Sequence, residues 1–153
     1  MDILIVEDDE NKLYQISEIL SADSDITLVA RRSYQSGLKE IISNHYDLIV
    51  LDMSMPTYDK TPSEPGGRFR KFAGKEILSE IIRRKIVTKA LLVTGFDFFG
   101  EGSTFITLKE LNQRLTDAFP AIYLGSVFYN ASETNWAEEL MHQVKAMKEI
   151  LHA

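Results

Sequence analysis

The chain has 153 residues, a hydrophobic share of 44% and a net charge of −6, which is the size of one domain able to bury a core without metals or disulfides. It holds no cysteine, which excludes disulfides and thiolate metal sites, and its acidity argues against nucleic-acid or anionic-membrane binding. No apolar run is long enough for a membrane span or a signal peptide, so the expectation is a single domain over residues 1–153, in the cytoplasm.

Strand-length apolar runs alternate with helix-period stretches. Ile3 to Val6 reads as a first strand that stops at Glu7, Asp8 and Asp9. Leu13, Ile16 and Leu20 then recur at helical spacing. Ile26 to Ala30 is a second strand, and Tyr34, Leu38, Ile41 and Ile42 mark a second helix. Asp47 to Leu51 is a third strand, apolar enough at its centre to be covered on both faces. Ile77, Leu78, Ile81 and Ile82 give a third helix and Ala90 to Val93 a fourth strand. Leu108, Leu111, Leu115 and Ala118 form a fourth helix, ended by Phe119-Pro120. Ala121 to Leu124 reads as a fifth strand. A last helix is expected to take Asn135 as its N-cap, with Glu138 three residues on. Five strands interleaved with five helices predict a doubly wound five-stranded parallel sheet of order 2-1-3-4-5.

Two stretches interrupt the rhythm. Residues 56–74 carry three of the four prolines and three glycines, so a loop insert is expected at about 57–74. Four of the eight phenylalanines fall in the Gly- and Phe-rich stretch at about 95–105, a second atypical loop. Loops of such length inside a compact domain are commonly functional.

Ligands of an open parallel sheet bind outside the carboxyl ends of its strands. Strands 1, 3 and 4 end at Glu7-Asp8-Asp9, Asp52 and Thr94, so these groups converge on one edge. Clustered carboxylates need a cation, and Mg²⁺ takes one or two carboxylates plus water and phosphate oxygens. A single acid after a strand is more simply a helix cap, as Asp9 can be; acids on two adjacent strand ends beside a hydroxyl favour a site. His45, His142 and His152 have no metal-ligand spacing and lie away from that edge.

ILIVEDD at 3–9, DLIVLDMSMP at 47–56 and ALLVTG at 90–95 together resemble the receiver domains of two-component response regulators. The resemblance implies that Asp52 is the phosphoacceptor. It implies a Mg²⁺ site of Asp8 and Asp52, Glu7 through water, and the backbone carbonyl of Ser54, with Asp9 an extra acid. Thr94 matches the hydroxyl that bonds the phosphoryl group and, with Tyr123, the switch pair; Gly95 matches the small-residue position. The resemblance also implies a histidine kinase or phosphotransfer protein upstream and a downstream protein partner at the fourth helix and fifth strand. A second copy of the chain is a further candidate partner.

Three departures from the family stand out. Ungapped alignment puts Ser126 where the family has a lysine, and no lysine or arginine lies between Arg114 and Lys145. Serine donates a hydrogen bond but cannot neutralise charge. The 57–74 insert carries four basic and two acidic residues, and Arg68 or Arg70 is a candidate to fold over the pocket in that lysine's place. Phe96, Phe98 and Phe99 are candidates for a partner surface or for core, and Phe96, two after Thr94, would slow hydrolysis of an acyl phosphate. The leading expectation is a stand-alone receiver, a phosphoacceptor rather than an enzyme. The alternative is a degenerate receiver used as a phosphorylation-independent interaction or oligomerisation module. A phosphohydrolase with an aspartate nucleophile is disfavoured, because Ser54 stands where a second aspartate would act as acid/base.

Overall fold

The computed structural model describes residues 1–100 and 102–152. Its sheet has five parallel strands: β1 (Asp2–Val6), β2 (Thr27–Arg31), β3 (Leu48–Leu51), β4 (Lys89–Thr94) and β5 (Tyr123–Phe128). Their order is β2-β1-β3-β4-β5, as expected. The helices are α1 (Glu10–Ser21), α2 (Tyr34–Ser43), α3 (Ala73–Arg83), α4 (Leu108–Ala118) and α5 (Asn135–Leu151).

The central strands are apolar on both faces because helices cover both. Ile3, Ile5, Leu48, Val50, Leu91, Val93 and Val127 pack with Ile16 and Leu20 of α1 and Trp136, Leu140 and Val144 of α5. The alternate residues Leu4, Val6, Ile49, Leu51, Ala90 and Leu92 pack with Ile41 of α2, Ile77, Leu78 and Ile81 of α3, and Leu111 and Leu115 of α4. Each buried Leu, Ile or Val among them stabilises the fold by roughly 1.5–3 kcal/mol relative to exposure. These layers fix the strand ends, and with them the site.

Several local expectations are corrected. The fifth strand runs from Tyr123 to Phe128 rather than ending at Leu124. Its pairing with β4 slips at Gly125, so that Ala90 faces Tyr123 but Leu91 faces Gly125. A φ of +138° at Gly125 supplies the bend such a bulge needs. Thr134, not Asn135, is the cap residue of α5, and its side chain makes no capping bond. The insert is a paired arm rather than an irregular loop. Met55–Pro56 pairs antiparallel with Phe69–Arg70, the amide of Tyr58 donates to the carbonyl of Gly66, and that of Gln35 on α2 donates to the carbonyl of Thr57. In the second loop Phe98–Phe99 pairs with Ile106–Thr107. A two-residue ribbon turns one side chain in and the next out, which buries Phe99 in the core and leaves Phe98 exposed.

Candidate functional site

At the carboxyl ends of β1, β3 and β4 lies a cavity of about 810 Å³. Glu7, Asp8, Asp9, Lys12, Asp52, Ser54 and Gly95 line it, with Phe69, Phe96, Phe128 and Tyr129 at its rim. The acids are set by the strands that precede them. The amide of Glu7 donates to the carbonyl of Arg31 at 3.0 Å, and that of Asp52 to the carbonyl of Val6 at 3.3 Å. The β1, β2 and β3 ends are thus tied to one another at the two acidic positions.

Asp52 is 6% exposed, and donors hold both of its carboxylate oxygens. The amide of Met53 donates to Oδ1 at 2.7 Å, and the ammonium of Lys12 donates to Oδ2 at 2.9 Å. The start of α3 closes the floor beneath it. The amide of Gly74 donates to the carbonyl of Met53 at 2.8 Å, and a Cβ on Gly74 would sit 2.7 Å from the carbonyl oxygen of Asp52. Only glycine lets that helix approach so closely.

Sequence reasoning missed Lys12. It lies in the first turn of α1, which Asp9 caps by accepting from the amide of Lys12 at 3.0 Å. Lys12 is 4% exposed. Its Nζ lies 2.6 Å from Oε1 of Glu7, 2.9 Å from Oδ2 of Asp52 and 2.6 Å from the carbonyl of Val93. Three acceptors satisfy the three donors of one ammonium. Tyr129 covers it, with Nζ 5.8 Å from the ring centre and the phenol donating to Gln15 of α1 at 2.7 Å. The available signal was spacing: Lys12, Ile16 and Leu20 fall at i, i+4 and i+8 on the buried face of α1.

The electrostatics follow from this crowding. Burial pushes the Glu7 carboxyl up to about 7, the nearby ammonium of Lys12 opposes the shift and the charge of Asp52 adds to it. Burial also raises the Asp8 carboxyl, and its ion pair with the exposed Lys60 of the insert, at 3.9 Å, opposes the rise. For Lys12, burial works against the charge, but Asp52 and Glu7 outweigh it and hold the ammonium protonated above its ordinary range.

The other expected residues are placed as follows. Thr94 is fully buried, and its hydroxyl accepts from the amide of Phe96 at 3.2 Å. Tyr123 is buried, its hydroxyl donating to Asn112 of α4 at 2.7 Å, and burial raises its phenol above the ordinary range. Ser126 faces Leu92, and Phe128 stands opposite Thr94. Ser126 is not among the cavity-lining residues, whereas Phe128 is. Arg70 turns away from the pocket: it bonds Glu76 at 2.6 Å and Thr57 at 3.1 Å, and lies 4.3 Å from the centre of the Tyr34 ring. Arg68 is exposed and does not line the cavity; the insert's basic residue at the rim is Lys60. Phe96 and Phe98 are exposed.

Among the described residues no three His, Asp or Glu side chains are grouped as a ready metal cage. Mg²⁺ needs no such cage, since one or two carboxylates with waters and phosphate oxygens serve it. Asp8, half-buried and paired at 3.9 Å with the exposed Lys60, together with Asp52 and Ser54 on the same wall, fits that requirement.

A doubly wound sheet with a buried aspartate at the end of its third strand and acids at the end of its first defines the receiver class of signalling domain. No protein-family model matches the chain. It is 31% identical over 149 residues to the Detocs response regulatory protein DtcB of Enterobacter cloacae, covering 94% of this chain and 98% of that one. It is 33% identical over 144 residues to the uncharacterized protein y4jR of Sinorhizobium fredii, covering 89% and 91%. Among solved structures it resembles the receiver domain of the Francisella response regulator 1452, with a TM-score of 0.63, 18% identity and 98% of each chain covered. It also resembles the response regulator TrrA of Thermotoga maritima in complex with Mg(2+)-BeF, with a TM-score of 0.59, 21% identity and coverage of 95% and 97%. The chain belongs to the response-regulator receiver family. No helix among the described residues is long and apolar enough to cross a membrane.

Proposed function

We propose that Asp52 accepts a phosphoryl group from a histidine kinase or phosphotransfer protein, and that the domain signals by protein contacts around α4 and β5. What supports the reading most is Asp52 itself, a nearly buried carboxylate on a cavity wall with donors on both oxygens. Such donors fix a nucleophile's direction and cut the reorganisation needed at transfer. Asp8, Asp52 and the Ser54 carbonyl would hold Mg²⁺, which when bound neutralises charge on the phosphoryl oxygens. Phe96 and Phe128 line the open side of the cavity. Thr94 carries a hydroxyl one strand away from Asp52, and a local rotation would turn it from the amide of Phe96 to a phosphoryl oxygen. The domain is a signalling component and acts as a stoichiometric acceptor rather than a turnover enzyme.

A second reading has one observation in its favour. Lys12 neutralises the inner acids internally, which suits a receiver that holds one state and serves as an interaction module. One experiment separates the two. The protein and its Asp52→Ala variant are incubated with Mg²⁺ and acetyl phosphate and followed by intact mass. A single phosphoryl adduct that Asp52→Ala lacks supports the acceptor; no Asp52-dependent adduct leaves the interaction module.

A further inference from the structure

We propose that Lys12 serves as the pocket's phosphoryl-pairing ammonium, delivered by α1 because β5 brings none. The inference rests on the acceptor reading of Asp52. Its basis is geometric: Nζ touches Oδ2 of Asp52, Oε1 of Glu7 and the carbonyl of Val93, at 2.6 to 2.9 Å. Those three acceptors come from the ends of β3, β1 and β4. The ammonium therefore reaches past Asp52 to the strand that bears Thr94, whereas Asp8 and Lys60 lie at the outer rim. β5 has no basic side chain, and the residue it sets beside Thr94 is Phe128. The insert's Arg70 is spent on Glu76 and Tyr34. Within the described pocket wall, Lys12 is the cation in contact with the carboxylate that would react.

The chemistry follows from that contact. With acetyl phosphate as donor, an oxygen of Asp52 bonds phosphorus while the bond from phosphorus to the acetyl oxygen breaks, and acetate leaves with that electron pair. No proton moves, and Lys12 stays an ammonium throughout. Before transfer it directs and partly neutralises the carboxylate. Afterwards Asp52 has become an acyl phosphate, and the ammonium's natural partner is an oxygen of the new dianion. Lys12 touches a reacting group, so its role is catalytic as well as architectural.

The test is Lys12→Met, which keeps chain length and removes charge, in the full chain with folding checked by circular dichroism. Two readouts move in opposite directions. The rate of Asp52 adduct formation from acetyl phosphate at saturating Mg²⁺ falls by about a hundredfold, the usual effect of removing one preorganised donor. The affinity for Mg²⁺, read by fluorescence of Trp136 (which packs on Tyr129), rises by about tenfold, because a competing cation has left an acidic pocket. An unchanged transfer rate overturns the proposal, and so does a parallel loss of both transfer and Mg²⁺ binding, which marks a structural role. Should Lys12→Met not fold, Lys12→Gln carries the same two expectations. Absence of any adduct in the wild-type protein defeats the acceptor reading itself and the inference with it, an outcome distinct from a wild-type adduct that ignores Lys12.

Discussion

Loss of Lys12 has a stability signature that depends on pH, and its size follows from the pocket. Lys12→Met leaves Glu7 and Asp52 without their shared cation at 1% and 6% exposure. Stranding a buried charge in this way costs about 3–5 kcal/mol. Glu7 can lower that cost by taking up a proton. Its folded-state pKa is about 7 against an ordinary 4.5. An acid raised on folding has its full relative stability below its unfolded pKa and loses it as pH climbs to the folded value. In the wild type this loss runs from pH 4.5 to 7 and amounts to about 3 kcal/mol, at 1.36 kcal/mol per pKa unit. Without Lys12 the folded pKa moves higher still, because the ammonium opposes the rise. The variant then goes on losing stability above pH 7, where the loss in the wild type tails off. The destabilisation therefore grows with pH across that interval. Urea unfolding in EDTA, followed by Trp136 fluorescence, should give a larger ΔΔG at pH 8 than at pH 5.5. Equal values at the two pH values, or a ΔΔG at pH 8 under about 1 kcal/mol, would refute the buried triad.

Gly74→Ala should destabilise the protein by about 1–3 kcal/mol, since the new methyl would lie 2.7 Å from the carbonyl oxygen of Asp52 and 2.8 Å from Cδ1 of Leu51; urea unfolding measures this, and a loss under about 0.5 kcal/mol would show that α3 yields easily. Phe96→Ala should shorten the lifetime of an Asp52 acyl phosphate by roughly tenfold, the effect of about 1.4 kcal/mol on the barrier, because the exposed ring at the cavity mouth stands in the path of water; an unchanged decay, followed by intact mass, would remove Phe96 from that role.

The parallel sheet was legible because β1, β3 and β4 are continuous apolar runs that end in polar groups, which few other arrangements tolerate. The acids were legible for the same reason, since topology alone brings those ends together. Lys12 was hidden by a habit of reading: a charged residue beside an apolar stripe is ordinarily solvated, and the stripe was anchored on Leu13. Its i−4 relation to Ile16, one turn beyond the strand-end acids, was the overlooked sign. The apolar run from Ala121 to Leu124 stops at Gly125, so hydrophobicity alone does not mark the continuation of β5 past the bulge to Phe128. Charge alone makes Arg68 and Arg70 candidates for the pocket. Glu76, one turn into α3, and the Tyr34 ring offer Arg70 nearer partners, and nothing in the charge pattern distinguishes those from Asp52.

The segment from Glu7 to Lys12 assembles most of the site by itself. Glu7 Oε2 accepts from the amide of Asp9 at 3.1 Å, Asp9 accepts from the amide of Lys12, and Lys12 returns its ammonium to Glu7. One strand end and one helix start thus supply an acid, a cap and a cation within six residues, and Asp52 and the Val93 carbonyl are the contacts brought from elsewhere. A cation drawn from β5 would tie the pocket to the register of the edge strand. With the cation on α1, β5 can carry a bulge and an exposed Phe128 without disturbing the acids. Two residues of that edge reach the pocket: Phe128, which lines it, and Tyr129, which follows β5, covers Lys12 and bonds Gln15 of α1.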